Sequence, residues 1–507
     1  MTIDHTVASE GGAAGLDDGR AGAGTADAAA PARSAKSIFL FWVPLALQWL
    51  MMAAEGPFVA AIIARMVDPA HNLAAYGIAI AFAILMESPV IMLMSASTAL
   101  VEDAESYRRL RNFSHALNIG ATLLVLVLLI PPVFDWVIGT LLGVPDPVRS
   151  LVYGSVWFLL PWPGAIGYRR FLHGILIRAG RTRLVAYGTI LRLSSMGITG
   201  LLLYLVAPIP GAWVGAIALS AGVTVEAVAA RFMARDAVRR LQTTSPARTA
   251  PAPSPAAALD GGELELPEPA ARGILARGED ALRRTGAAAR ARRRVLVSGY
   301  GDIARFYFPL ALTALIGLTV QPLLTFFMGR APLPIESLAV FPVVHALSFL
   351  FRAPGLAFQE VVIALAGKRL EHIAPLRRFG VALGLALSLG LALVTATPLA
   401  VVWYGVVSGL PDELTTLAVD PSRLMVPLPA LTVLLAFQQG VLVQTRRTRE
   451  ITAASIFEIG GIAALFTILG WKFGVFGATA AVTGLVGGRI LANGYLWHRV
   501  RQAQATS

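Results

Sequence analysis

The sequence predicts an all-α polytopic membrane protein: twelve transmembrane helices in two parallel six-helix bundles, with both termini cytoplasmic. Composition is the first ground, since 56% of the 507 residues are hydrophobic and only 14% are charged, far more apolar than a soluble chain of this size. The second is a repeat. The stretch FWVPLALQWLMMAAEGPFVAAIIAR, Phe41 to Arg65, matches FYFPLALTALIGLTVQPLLTFFMGR, Phe306 to Arg330, without a gap, pairing Pro44 with Pro309, Pro57 with Pro322 and Arg65 with Arg330. Each copy is long enough to cross a bilayer, which takes about 20 residues at 1.5 Å rise. The third is the placement of positive charge. The amino tail, the even-numbered connections and residues 498–507 hold 30 Lys and Arg, against 5 in the odd-numbered connections. By the positive-inside rule both ends face the cytoplasm, and the expected location is the cytoplasmic membrane.

Taken in order, residues 1–36 are Gly, Ala, Asp and Arg with no apolar run, neither signal peptide nor span, and read as a disordered cytoplasmic tail. The N-terminal bundle occupies 37–240, with spans near 38–64, 73–100, 114–142, 150–178, 184–207 and 211–234. In its first span, as in the copy, two internal prolines each remove a backbone donor. A membrane tolerates this where neighbouring helices or a wet cavity satisfy the freed carbonyls, so these helices should bend. Residues 241–298 shift to Pro, Ala and Arg, the composition of a flexible cytoplasmic linker with a basic second half. The C-terminal bundle and a short tail take 299–507, with spans near 302–329, 338–366, 379–407, 422–445, 451–471 and 475–497. The likeness between halves continues through it: Pro132 pairs with Pro398, GVPD at 143–146 with GLPD at 409–412, and GILIRAGRTR at 174–183 with GVLVQTRRTR at 440–449. Six spans is an even number, so the repeats sit the same way up about a pseudo-twofold along the membrane normal, with a cleft between them.

Several function classes fall away on composition. Cysteine is absent and the seven histidines show no metal-ligand spacing, so no disulfide, metal or cofactor is expected. The net charge of +12 sits in loops, which argues against a nucleic-acid surface. No phosphate-binding G-x-x-x-x-G-K-[ST] loop occurs; at Gly367-Lys368 the first glycine is replaced by Val362 and the hydroxyl by Arg369. Energy for transport must then come from a gradient, or the process is facilitated.

An ionisable group at mid-bilayer costs on the order of 2.5–3.5 kcal/mol on insertion scales, which makes each one a functional candidate. On the eighth span His345, Arg352 and Gln359 recur every seven residues as a polar stripe with Glu360 beside it, either cavity lining or a buried seam between helices. Arg169 and Arg170, with His173 one turn on, are the binding candidates of the fourth span. Glu55 has the apolar counterpart Val320, so this acid exists in one bundle only. With Gln48 seven residues earlier on the same face it suits a coupling-ion carrier; the alternative is a hydrogen bond to backbone freed by Pro57. Glu87 occupies the repeat position of Arg352 with opposite charge, a coupling candidate able to compete with a substrate anion for that arginine. Arg192 and Glu458 swap charge in the same way, and Glu226 and Arg489 lie one place out of register. These four are expected to form buried ion pairs that hold a bundle or close a gate. Arg231 and Arg305 lie near span ends, where long side chains reach the interface.

The stretch PLALQWLMMAAEGPFV at 44–59 is similar to the P-L-A-L-T-W-L-L-M-x-x-E-x-P-F-V signature of the progressive ankylosis protein family, with AAYGIA at 74–79 shortly after. Gln48 stands for the usual Thr, and Gly56 follows Glu55. More broadly, two parallel six-helix bundles with proline-bent first helices resemble the MOP superfamily of exporters, which includes the MATE antiporters and lipid-linked-sugar flippases. The resemblance implies a MATE-like fold, export of small organic anions or phosphate-bearing metabolites, and coupling to H⁺ or Na⁺. The reading is a secondary transporter working by alternating access as a monomer among membrane lipids. A lipid-linked-precursor flippase is the alternative within transport. A membrane-embedded transferase using Glu55 or Glu87 as base is disfavoured, because no catalytic motif or sizeable soluble domain accompanies them.

Overall fold

The computed structural model describes residues 34–243 and 299–505, apart from 368, 369 and 446. The expected amino tail and the 241–298 linker lie, but for a few bounding residues, outside the described residues. Every described element is helical. The first half reads α1 (Ala35–Ala53), α2 (Glu55–Ala64), α3 (Pro69–Glu87), α4 (Leu93–Leu100), α5 (Ala104–Leu128), α6 (Pro131–Phe134) leading into a π-wound turn at Asp135–Leu141, α7 (Asp146–Phe158), α8 (Trp162–Arg178), α9 (Thr182–Val206) and α10 (Gly211–Thr243). The second repeats it as α11 (Tyr300–Leu318), α12 (Val320–Met328), α13 (Pro334–Leu356), α14 (Phe358–Leu365), α15 (Ile373–Thr395), α16 (Leu399–Val401) leading into a π-wound turn at Val402–Val407, α17 (Asp412–Leu424), α18 (Leu428–Gln444), α19 (Thr448–Phe466) continued by a π-wound turn at Thr467–Lys472, and α20 (Gly477–Ala505).

Proline sets the principal breaks. Its ring clashes with the carbonyl four residues back and offers that carbonyl no donor. Pro57 does this to Ala53, where α1 ends, and Pro322 does it to Leu318, where α11 ends. At the other end of the pattern, Pro161 and Pro163 flank Trp162 and start α8, where a missing N–H costs nothing. Among the described residues nine helices are long and apolar enough to cross a membrane, or ten if the pair Asp412–Leu424 and Leu428–Gln444, bent by 42°, counts as one span. Of the twelve spans expected, those near 150–178 and 475–497 fall short. The first is split before Trp162 and carries Arg169, Arg170 and Arg178, while the second carries Arg489.

The broken first spans also reach across to the opposite bundle. Ile38 on α1 is fully buried in an apolar cluster with Phe358, Val361 and Leu442 of the second bundle, while α2 packs on α3 and α10 of the first. The copy α11 touches α3 and α5 of the first bundle as well as α19 of its own. Two repeat-related hydrogen bonds fix the crossing: Trp42 Nε1 donates to the Pro354 carbonyl at 2.9 Å, and the Tyr307 hydroxyl donates to the Pro89 carbonyl. Trp42 and Tyr307 are equivalent in the repeat, as are Pro89 and Pro354.

A second reciprocal pair closes the face reached after an odd number of crossings. Arg65 Nη2 donates to the carbonyls of Val406 (2.6 Å) and Val407 (2.9 Å), and Arg330 Nη2 donates to Thr140 (2.9 Å). The acceptors end the two π-wound turns, where helix carbonyls lack partners and a cation is favoured. Glycines permit the approach: Gly143 and Gly409 turn the chain at φ +70° and +72°, and a Cβ on Gly329 would lie 2.4 Å from the Leu142 carbonyl. Both arginines are exposed, so each latch is worth about 1 kcal/mol. Replacing both by alanine should move the equilibrium away from the latched form by roughly thirtyfold, or about 2 kcal/mol. Spin labels in place of Asp146 and Asp412, equivalent exposed positions on this face, would register the change as a longer separation. An unaltered distance distribution would leave Arg65 and Arg330 as surface anchors.

Candidate functional site

Each bundle encloses charges that the hydrocarbon would otherwise exclude. In the first, glycines on α8 let its neighbours come close. A Cβ on Gly167 would lie 1.8 Å from Asn118 Oδ1, and one on Gly174 1.8 Å from Ser97 Oγ. That close packing carries Arg169 and His173 inward, leaving them 7% and 4% exposed. Glu226 of α10 is the hub. Fully buried, it accepts from Arg169 Nη1 at 2.6 Å, pairs with Arg192 Nε of α9 at 3.4 Å, and lies 3.9 Å from His173 Nε2. Arg192 also pairs with Glu55, which sits at the start of α2 just past the proline break. The first bundle therefore holds a chain of alternating charge, Glu55–Arg192–Glu226–Arg169.

Glu87 ends α3 and is also buried. Its Oε2 accepts from Trp162 Nε1 at 2.7 Å. It does not meet Arg352. The charge swap suggested that those two approach one another; the structure instead gives Glu87 an indole partner inside its own bundle.

The second bundle reverses the polarity. Arg489 of α20 pairs with Glu458 of α19 at 2.8 Å, occupying the places of Glu226 and Arg192. Arg352 of α13, 9% exposed, donates from Nε to Thr432 Oγ1 of α18 at 3.2 Å. Among the described residues no carboxylate lies within ion-pair distance of it. His345, two turns earlier, lies between the rings of Phe341 and Phe349, with its Nε2 3.3 Å from the Gln321 amide.

The expected polar stripe on the eighth span is interrupted. The helix of His345 and Arg352 ends at Leu356, so half-buried Gln359 and exposed Glu360 belong to α14. Gln48 is exposed on α1, away from the Glu55 chain of contacts, so the shared helix face does not bring those two together. The partners that sequence reading missed are Trp162, Thr432 and Gln321. Only Trp162 carried a sign, standing between two prolines where a helix had to begin. Among the described residues no group of three or more His, Asp or Glu is placed to hold a metal ion.

Comparison with known proteins follows this geometry. No family model matches the sequence, and no curated protein sequence does. Structures do match. An inward-facing multidrug resistance MATE family transporter of the MOP superfamily aligns over 92% of this chain and 99% of its own, with a TM-score of 0.60 at 15% identity. The chain has the MATE fold. A eukaryotic MATE transporter aligns over 93% of this chain and 99% of its own, with a TM-score of 0.61 at 14% identity. The lipid II flippase MurJ in an inward closed conformation aligns over 90% and 87%, with 0.62 at 12%. Within the MATE fold the likeness is greater to the inward-facing transporter, 0.60, than to an outward-facing one, 0.55.

Proposed function

We propose that this chain is a secondary active transporter of the MOP superfamily that exports a small organic anion, or an amphipathic solute with an anionic group, by alternating access across the cytoplasmic membrane. Arg352 carries the reading. An arginine buried away from any carboxylate is costly, and a substrate anion would offset that cost. The arginines of the two hubs, Arg169, Arg192 and Arg489, each have a glutamate. His345 and Thr432 belong to the same site, and Arg170 and His173 to a second binding region in the first bundle. The MATE fold supports the reading because the structures that share it include transporters in inward- and outward-facing conformations. Twelve crossings, cytoplasmic termini, a monomeric state and kinship with the progressive ankylosis family complete the proposal, the last resting on the 44–59 signature.

Coupling falls to Glu55 on this reading, with H⁺ or Na⁺ as the exchanged ion. A cation bound to Glu55 competes with Arg192 for the carboxylate, and Arg192 leads to Glu226 and the α8 cluster. In proteoliposomes under an imposed pH or Na⁺ gradient, at least one member of a panel of labelled organic anions should move in a gradient-dependent way. Glu55→Gln should bind that anion while losing the gradient dependence. Unchanged coupling in the variant would reduce Glu55 to a structural partner of Arg192.

A lipid-linked-precursor flippase is the second reading, favoured by an apolar groove on the lipid-facing wall beside Pro89. The charged bundle interiors are better suited to a compact anion, so export is the reading adopted. The similar structures are transporters and a flippase, and the transferase alternative is not taken up.

A further inference from the structure

Arg352 is held by one side chain, and the repeat shows that the partner changes with the charge. The packing of α13 on α18 has its counterpart where the end of α3 meets α8, with Val90 and Gly167 standing for Gly355 and Val433. A Cβ on Gly355 would lie 2.8 Å from Val433 Cγ2, and one on Gly167 would lie 3.0 Å from Val90 Cβ. The glycine changes helices while the close approach is kept. What differs is the polar pair beside the seam. In the first bundle Glu87 accepts from Trp162, and Ile166, one turn on from Trp162, is buried and apolar. In the second Arg352 replaces Glu87, Leu428 replaces Trp162 and Thr432 replaces Ile166. The indole donor that suits a carboxylate is gone, and a hydroxyl acceptor that suits a guanidinium has been introduced.

That hydroxyl is committed in direction. Thr432 is fully buried, and its Oγ1 donates to the Leu428 carbonyl at 2.7 Å. A hydroxyl has one proton and two lone pairs, so toward Arg352 it can only accept, and it does so from Nε at 3.2 Å. The bond back to the carbonyl four residues earlier also fixes χ1 of a stiff, β-branched side chain. Arg169 of the first bundle is held the other way, with Nη1 donating to Glu226 and Nε lacking a hydrogen-bond partner. On Arg352 it is Nη1 and Nη2 that have none among the described residues. A guanidinium grips an oxyanion through two parallel N–H groups, either Nε with one Nη or the two Nη together. Thr432 occupies Nε, which leaves the end-on pair. We propose that Thr432 is a positioning residue, holding Arg352 by Nε so that Nη1 and Nη2 meet a carboxylate or phosphate group of the substrate end-on. The assignment rests on the anion-export reading, with Arg352 as its site.

Thermal unfolding of the full chain in detergent, titrated with acetate and separately with inorganic phosphate, tests the assignment. The wild type should gain stability with at least one of the two anions, and the more effective one identifies the group. Thr432→Val keeps the shape of the side chain and leaves the Leu428 carbonyl its backbone donor. It should weaken the Kd for the anion about tenfold, the lower end for a hydrogen bond to a charged group. Thr432→Ser keeps the oxygen and should restore the Kd. A residue that merely supports the fold would shift the unfolding midpoint without anion and leave the Kd alone. A wild-type Kd in Thr432→Val therefore overturns the proposal, as does a weakened Kd that Thr432→Ser fails to restore, and both results leave the export reading standing. If neither anion stabilises the wild type, Arg352 is no oxyanion site, and the export reading falls together with the proposal.

Discussion

Arg352→Gln should abolish anion transport and leave the fold as stable as before, or more so. Two opposite consequences follow from one observation. A hydrogen bond to a charged group contributes about 1.5–3 kcal/mol, so an anion held by the guanidinium should bind about ten- to 150-fold more weakly once it is gone. The same arginine, 9% exposed and with no carboxylate in ion-pair distance among the described residues, adds an uncompensated desolvation cost to the empty protein. Glutamine removes that cost. Thermal unfolding with and without the transported anion reads both effects together: the wild type should gain stability with anion concentration as expected for a ligand of the native state, and the variant should not. Arg352→Lys keeps the charge but not the fixed fork, and is expected to fall between them. Wild-type transport by Arg352→Gln would assign Arg352 to the scaffold and remove the observation that supports anion export.

Glu226→Gln should show the reverse pattern, a loss of stability of about 3–5 kcal/mol, because it breaks a buried pair and leaves cations without compensation. Glu226 is fully buried and lies between Arg169 and Arg192, at 2.6 and 3.4 Å. Among the described residues its loss leaves Arg192 with Glu55 alone and Arg169 with no glutamate in ion-pair distance. Chemical denaturation of the purified protein in detergent should show the drop. The double variant Glu226→Gln with Arg169→Gln should recover part of it, since the two share one interaction and their effects are not additive. If Glu226→Gln unfolds at the wild-type midpoint, the hub does not hold the first bundle, and its arginines are balanced from elsewhere.

Sequence by itself determined what depends on neighbours along the chain or on a period. The duplication fixes equal architecture for the two halves. Pro57 and Pro322 fix where α1 and α11 stop, because a proline ring acts on the carbonyl four residues back and needs no tertiary partner. The exchange of charge between Arg192 and Glu458 was equally legible, since it compares positions within one sequence. Pairing was not. Glu87 and Arg352 are repeat equivalents, yet one is held by Trp162, 75 residues away, and the other by Thr432, 80 residues away. Which side chains meet depends on how each helix is rotated about its axis and on which neighbour its small residues admit, as at Gly167 and Gly174, and no local pattern specifies either. The crossing of the first spans to the opposite bundles lay beyond sequence for the same reason. Repeat symmetry allows α1 to pack on its own bundle or on the other, and only the meeting of Trp42 with the Pro354 carbonyl and of Tyr307 with that of Pro89 decides between them.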